Sequence, residues 1–288
     1  MSGITINVNP IIFQVGALSV RWYSLFIIVA ILAATWMATK EARRVGLDEG
    51  KIGTLAVWAI VVGFIGARLF HVLDRFDYYA SNPAEILAIH KGGLAIWGGL
   101  ASGAVAGLVY AKVKGLPIAR TVDVAAVSML AGQIIGRLGC IVNGDAYGGP
   151  TSLPWGFIYV NAGAMIPDAL KGIPTHPYPV YEMLWDGALL LGLWLWRKRA
   201  RPDGMLFLTY AAVYALGRFT LTFVRQEREV LFGLQQAQVI AVALMAVAVP
   251  WMVWLWRRAA VAPAAVPAPT GSAKRAIGRA RKGQRHRA

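Results

Sequence analysis

Long apolar runs, broken at intervals by short polar and basic clusters, organise this chain. About seven of them reach the roughly 20 residues that a helix needs to span a hydrocarbon core: 18–39, 52–72, 93–111, 121–142, 178–196, 205–224 and 234–256. The third is rich in glycine, and its first part is read as either a full crossing or a re-entrant turn. The pattern predicts an all-α polytopic membrane protein with about seven transmembrane helices over residues 1–256. Residues 257–288, with Ala/Pro repeats followed by scattered Lys and Arg, are expected to form a disordered basic tail. Residues 1–18 have no basic start and no continuous apolar core, so no cleavable signal sequence is expected there.

Composition agrees with this reading. The chain is 57% hydrophobic and only 15% charged, against about 25% charged in a soluble domain. Its formal net charge of +15 would suit a nucleic-acid binder, but the positions of the charges argue otherwise. Lys40, Arg43, Arg44 and Lys51 crowd the first connector, Lys112, Lys114 and Arg120 the third, and Arg197, Lys198, Arg199 and Arg201 the fifth. The alternate connectors are poorer, with Arg75 and Lys91, then Lys171, then Arg225 and Arg228. The excess of basic residues on the cytoplasmic side then places the N-terminus outside and the C-terminus in the cytoplasm. A single cysteine, Cys140, rules out an internal disulfide and a multi-cysteine metal site. His71 and His90 are assigned to the interface, not to a metal.

Helical rise converts this topology into depth. Arg137 lies about 24 Å from Thr121, Arg218 about 21 Å from Gly204, and Arg68 about 26 Å from Lys51. In a core about 30 Å thick all three fall in the outer half, at the level of Tyr23 and Trp97. Glu182 and His176 sit at the outer start of the fifth span. A guanidinium in hydrocarbon needs a partner. Arg137 could pair with Glu182 and lock helices, or bind a lipid phosphate, whose oxygens match the planar fork. The same choice stands for Arg218, whereas Arg68 is close enough to the surface to snorkel and reads slightly better as structural. Gly136, Gly139, Gly144 and Gly148 allow close packing and a break that aims Asn143 and Asp145 back toward the arginines. Gly92, Gly93, Gly98, Gly99, Gly103 and Gly107 suit close helix packing. His176 could touch a headgroup or order its loop, Asp123 sits near a helix N-terminus, and Cys140 reads as a small buried hydrophobe.

The stretch Gly136-Arg137-Leu138-Gly139-x-x-x-Asn143-Gly144-Asp145-x-x-Gly148 resembles the hallmark motif of the prolipoprotein diacylglyceryl transferases. Other segments match in the same order: Val20-Arg21-Trp22-Tyr23-Ser24, Gly66-Ala67-Arg68-Leu69, the glycine-rich 91–100 stretch, His176-Pro177-x-x-x-Tyr181-Glu182, and Gly217-Arg218-Phe219-x-x-x-Phe223-x-Arg225. The resemblance implies transfer of the diacylglyceryl group of phosphatidylglycerol to the lipobox cysteine thiol of a prolipoprotein signal peptide, with release of glycerol phosphate and no cofactor or metal. It implies residence in the bacterial cytoplasmic membrane with the site facing the outer leaflet. By motif position, Arg137 and Arg218 act on the phosphate, Arg225 is a further basic contact, and Tyr23, Asn143 and Gly148 are site residues. Trp97 stands where many members have a histidine assigned as the thiol base, Cys140 replaces an asparagine, and Asp145 replaces a glutamate, keeping a carboxylate about one methylene shorter. Two other classes compete: a transporter, which would show paired half-repeats with interrupted helices, and a non-catalytic lipid binder, which would not need Asn143 or Asp145.

Overall fold

The computed structural model describes residues 3–16, 18–89, 92–225 and 229–261. The expected tail beyond 261, together with His90, Lys91 and Arg228, lies outside the described residues. The elements run β1 (Ile4–Ile6), β2 (Ile11–Val15), β3 (Leu18–Arg21), α1 (Trp22–Arg44), α2 (Glu49–Asp74), α3 (Phe76–Ser81), α4 (Ile96–Val113), α5 (Ile118–Asn143), β4 (Phe157–Tyr159), α6 (Tyr178–Trp196), α7 (Met205–Thr222), β5 (Glu229–Leu231), β6 (Leu234–Gln235) and α8 (Gln236–Val261). Every expected span is occupied by a helix. Six of the seven long helices are long and apolar enough to cross a membrane. The exception is α6, whose hydropathy is lowered by Glu182, Asp186, two tyrosines and three tryptophans. The chain is a mostly helical polytopic membrane protein. Its outward surfaces carry Trp58, Val61, Ile65 and Leu69 on α2 and Leu184, Leu191 and Leu195 on α6, all more than half exposed apart from Val61 at 45%. A protein in water would not leave so much contiguous apolar surface uncovered.

Two boundaries differ from the sequence pattern for one reason. Leu18–Arg21 and Leu234–Gln235 are apolar enough to extend the first and last spans, yet both are strands of short hairpins. A short apolar run has the same hydrophobic content whether it is strand or helix. The third span starts at Ile96, because Gly92 and Gly93 both take positive φ, where a side chain would strain the backbone.

Helix α5 lies at the centre, packed against α1, α6 and α7. Its Ala126, Val127 and Leu130 meet Leu189 and Leu193 of α6 and Leu206 and Tyr210 of α7 in the largest buried cluster. The α2–α4 pair is closer, because Gly63, Gly66, Gly98 and Gly103 bring backbone to backbone. A Cβ on Gly98 would fall 2.7 Å from the Gly66 carbonyl oxygen. This is the small-residue packing expected of the glycine-rich segment.

The two ends of the bundle differ. At one end the basic connectors are tied down: Glu41 holds Arg44 at 2.6 Å and also Arg197, and Arg120 pairs with Asp203 at 2.9 Å. Asp123 accepts from Gly204 N and Phe207 N, each at 2.9 Å, so one helix caps the start of another. At the other end a cap is assembled from distant parts of the sequence. β1 pairs in parallel with β4, and Phe157, Tyr159, Ala164 and Ile166 form a small core closed by Ile6 and Val180. Arg68, buried, donates to the carbonyls of Glu85, Ile86, Gly92 and Gly93 at 2.6–2.8 Å and so pins the 75–95 connector. Its role is structural.

Candidate active site

The capped end holds a charged cluster built around one carboxylate. α5 ends at Asn143 because Gly144 takes φ +73°, the left-handed conformation that closes a helix, with its N–H on Cys140 O at 2.9 Å. That stop sets Arg137 two turns below the break. α6 begins after Pro177, with Pro179 in its first turn, where a missing N–H costs nothing. Tyr178 and Glu182, four residues apart, therefore share a face. Arg218 comes from the last turn and a half of α7.

Glu182, 3% exposed, bridges the two arginines. Its Oε2 lies 2.7 Å from Arg137 Nε, a close ion pair without hydrogen-bond alignment, and its Oε1 accepts from Arg218 at 2.6 Å. Tyr178 OH donates to the same Oε1 at 3.0 Å and accepts from Arg218 at 2.6 Å. Arg225 lies over the Tyr178 ring, 4.8 Å from its centroid. Two guanidiniums would repel at this separation, and the shared carboxylate is what lets them stand side by side. Their side chains remain 22% and 21% exposed, so neither is sealed from a ligand. Part of each five-donor fork is therefore available to an incoming anion.

The remaining sequence-derived residues separate clearly. Tyr23, in the first turn of α1, packs on Cys140, Ala146 and Tyr178, and Gly139 makes room for it: a Cβ there would sit 3.1 Å from the Tyr23 ring. Cys140 is buried beside Arg137, whose guanidinium approaches its sulfur at 3.8 Å. Asp145 follows the helix break, and its Oδ1 is buried without a hydrogen-bond partner. Its charge reaches Tyr159, whose hydroxyl is pushed up by burial first and then by Asp145 and Cys140. Asn143 links the site to the cap. Its Oδ1 accepts from Arg21 at 3.2 Å, and its amide nitrogen points at Met165 Sδ at 3.1 Å, joining α5 to the cap. Gly148 and His176 form a backbone clamp, Gly148 N to His176 O at 3.0 Å and His176 N to Gly149 O at 2.9 Å. A Cβ on Gly148 would fall 2.6 Å from that of His176. The His176 ring meets Tyr181 OH at 3.2 Å, a contact that orders its loop. Trp97 stands apart, 42% exposed on the first turn of α4, which packs chiefly on α2.

Sequence reasoning missed Tyr178, Arg21 and Tyr159. The i,i+4 spacing from Glu182 would have found Tyr178. Arg21 lies in a matched motif, but its partner Asn143 was not legible, and no sequence signal pointed to Tyr159, because both reach across the cap.

The wider comparisons agree with the motifs. Residues 10–254 match the family described as prolipoprotein diacylglyceryl transferase. A phosphatidylglycerol–prolipoprotein diacylglyceryl transferase of Clostridioides difficile is 35% identical over 81% of this chain and 90% of its own length. Proteins of the same name from a Nostoc species and from Lysinibacillus sphaericus are 33% and 34% identical, covering 90% and 92% of this chain and 93% and 97% of theirs. With matched motifs in order and coverage of nearly the whole bundle, the chain belongs to the prolipoprotein diacylglyceryl transferase family.

Proposed function

We propose that this protein transfers the diacylglyceryl group of phosphatidylglycerol to the lipobox cysteine thiol of a prolipoprotein signal peptide, the first step of lipoprotein lipidation, at the outer leaflet of the bacterial cytoplasmic membrane. The observation that carries this reading is the pair of partly exposed arginines, Arg137 and Arg218, joined through Glu182 at the capped end. In the reaction the thiol sulfur forms a bond to the glycerol carbon of the lipid. The C–O bond to phosphate breaks, and its electron pair leaves with glycerol phosphate. Negative charge grows on that phosphate only as the bond breaks. Cations fixed in place beforehand therefore favour the transition state over the bound lipid. Arg225, over the Tyr178 ring, extends the positive surface.

The thiol proton must go to a base. Trp97 has no basic nitrogen to accept it. Asp145, with a buried and unpartnered carboxylate oxygen beyond the α5 break, is the acceptor we assign.

Purified protein incubated with labelled phosphatidylglycerol and a lipobox peptide should form a thioether lipid. Binding of lipid without product would reject the enzyme. Arg137→Ala and Arg218→Ala should each lower kcat by roughly two to three orders of magnitude, the scale of losing one fixed oxyanion donor. Near-normal turnover in either, with the protein correctly inserted, removes the phosphate clamp. Asp145→Asn should lower kcat about a hundredfold or more, the scale of losing a positioned general base, and near-normal turnover acquits Asp145.

A further inference from the structure

A groove of about 500 Å³ runs along the outside of the bundle between α6 and α7. Trp185, Leu189, Gly192, Leu193 and Trp196 line it from α6, and Thr209 and Val213 line it from α7. These α6 positions continue the stripe that carries Glu182, at spacings of three and four residues. The groove therefore begins directly beneath the charged cluster. Trp185 is three residues from Glu182, about 4.5 Å along the helix axis. Its indole lies on Gly217, the residue before Arg218, where a Cβ would come within 2.1 Å of Nε1.

The lining has no polar group left to offer. Trp185 Nε1 donates to Val213 O at 3.0 Å, and the Thr209 hydroxyl donates back to Met205 O at 2.9 Å, so threonine presents its methyl. Gly192 has open space where a side chain would project. From Trp185 to Trp196 the groove extends about 16 Å along the axis, which is half of a hydrocarbon core about 30 Å thick. That is the length of one acyl chain, running from the charged cluster toward the end of α6 that meets Arg197.

We infer that this groove holds one fatty acyl chain of the donor lipid whose phosphate lies at Arg137 and Arg218, and that Gly192 sets how long a chain fits. The inference rests on the function proposed above and adds a specificity site to it. A cationic pair at the top and a dry channel as long as one acyl chain match the anionic head and the tail of a single phospholipid. A transmembrane peptide helix, about 10 Å wide, would need a broader trough.

The test compares dioctanoyl and dioleoyl phosphatidylglycerol as donors in mixed micelles. Gly192→Leu should raise KM for the dioleoyl donor at least tenfold relative to the dioctanoyl donor, since each methylene expelled from an apolar site weakens binding about fourfold. Gly187→Leu adds the same bulk where space is also open but outside the groove, and should leave that ratio unchanged. Equal effects of Gly192→Leu on both donors, or none on either, overturn the inference. So does a rise in KM for the peptide alone, which would place the peptide in the groove. A second readout does not depend on turnover: phosphatidylglycerol brominated along its chains should quench wild-type tryptophan fluorescence more than that of Trp196→Phe. If the wild type forms no thioether with either donor, yet Gly192→Leu abolishes this difference, the groove stands and the transferase reading falls. If quenching is the same in all three proteins, the groove falls.

Discussion

At the scale of single residues, the site depends on Glu182. Its carboxylate neutralises one unit of charge between Arg137 and Arg218, and its 3% exposure means that water screens little of the repulsion it offsets. Glu182→Gln removes that charge while keeping the shape. Breaking one side of a buried ion pair costs about 3 kcal/mol or more. The thermal midpoint in detergent should fall by several degrees, and added phosphatidylglycerol should restore it further than it shifts the wild type, because phosphate supplies the missing anion. A midpoint equal to wild type would mean that the guanidiniums do not depend on Glu182. The sequence allowed two readings of Arg137, a helix lock or a phosphate clamp. The structure shows the lock, and its partial exposure leaves the clamp open to the same guanidinium.

At the scale of elements, the helices were legible and the cap was not. Apolar runs located all seven long helices, and Gly144, Pro177 and Asp48 mark ends that their chemistry explains: a left-handed turn, a missing donor, and a side chain accepting from Lys51 N at 3.0 Å. Arg21, Asn143 and Met165 carried no such local mark, since their contacts join segments more than twenty residues apart. Asn143 shows that limit: its motif position was legible, but its contacts to Arg21 and Met165 across the cap were not. Asp123 makes the opposite case. Its place near a helix N-terminus was legible, but not that the terminus belongs to another helix, α7. Asp123→Ala should destabilise the protein by about 1–2 kcal/mol in denaturant titrations. Turnover per folded molecule should remain at the wild-type level, since this cap lies at the end opposite Arg218. A selective loss of turnover with unchanged stability would contradict that separation.

At the scale of the whole molecule, charge and architecture oppose each other across the bundle. Lys40, Arg43, Arg44, Lys112, Lys114, Arg120 and the 197–201 cluster crowd one end, and the cap with its arginine site occupies the other. On the positive-inside rule we propose that the capped end is the outer one. In a Cys140→Ala background, Ala162→Cys on the cap should react with a membrane-impermeant maleimide added to spheroplasts, and Lys198→Cys should react only after lysis. The reverse pattern would invert the protein and put its site on the cytoplasmic face.

The pairing of β1 with β4 has a consequence for how the protein comes to be. Ile4 meets Phe157 across about 150 residues of chain, a separation at which loop closure is slow and must wait for its partner. During synthesis the first strand leaves the ribosome long before its mate exists, and four long helices must be threaded into the bilayer in between. The roof over the arginines thus cannot close until α5 has been made and β4 has followed it. A nascent chain stopped before the α5–α6 connector would carry Arg137 in the membrane with neither Glu182 nor a roof. The two arginines and the carboxylate between them stand together only once α7 has followed α6 out of the ribosome.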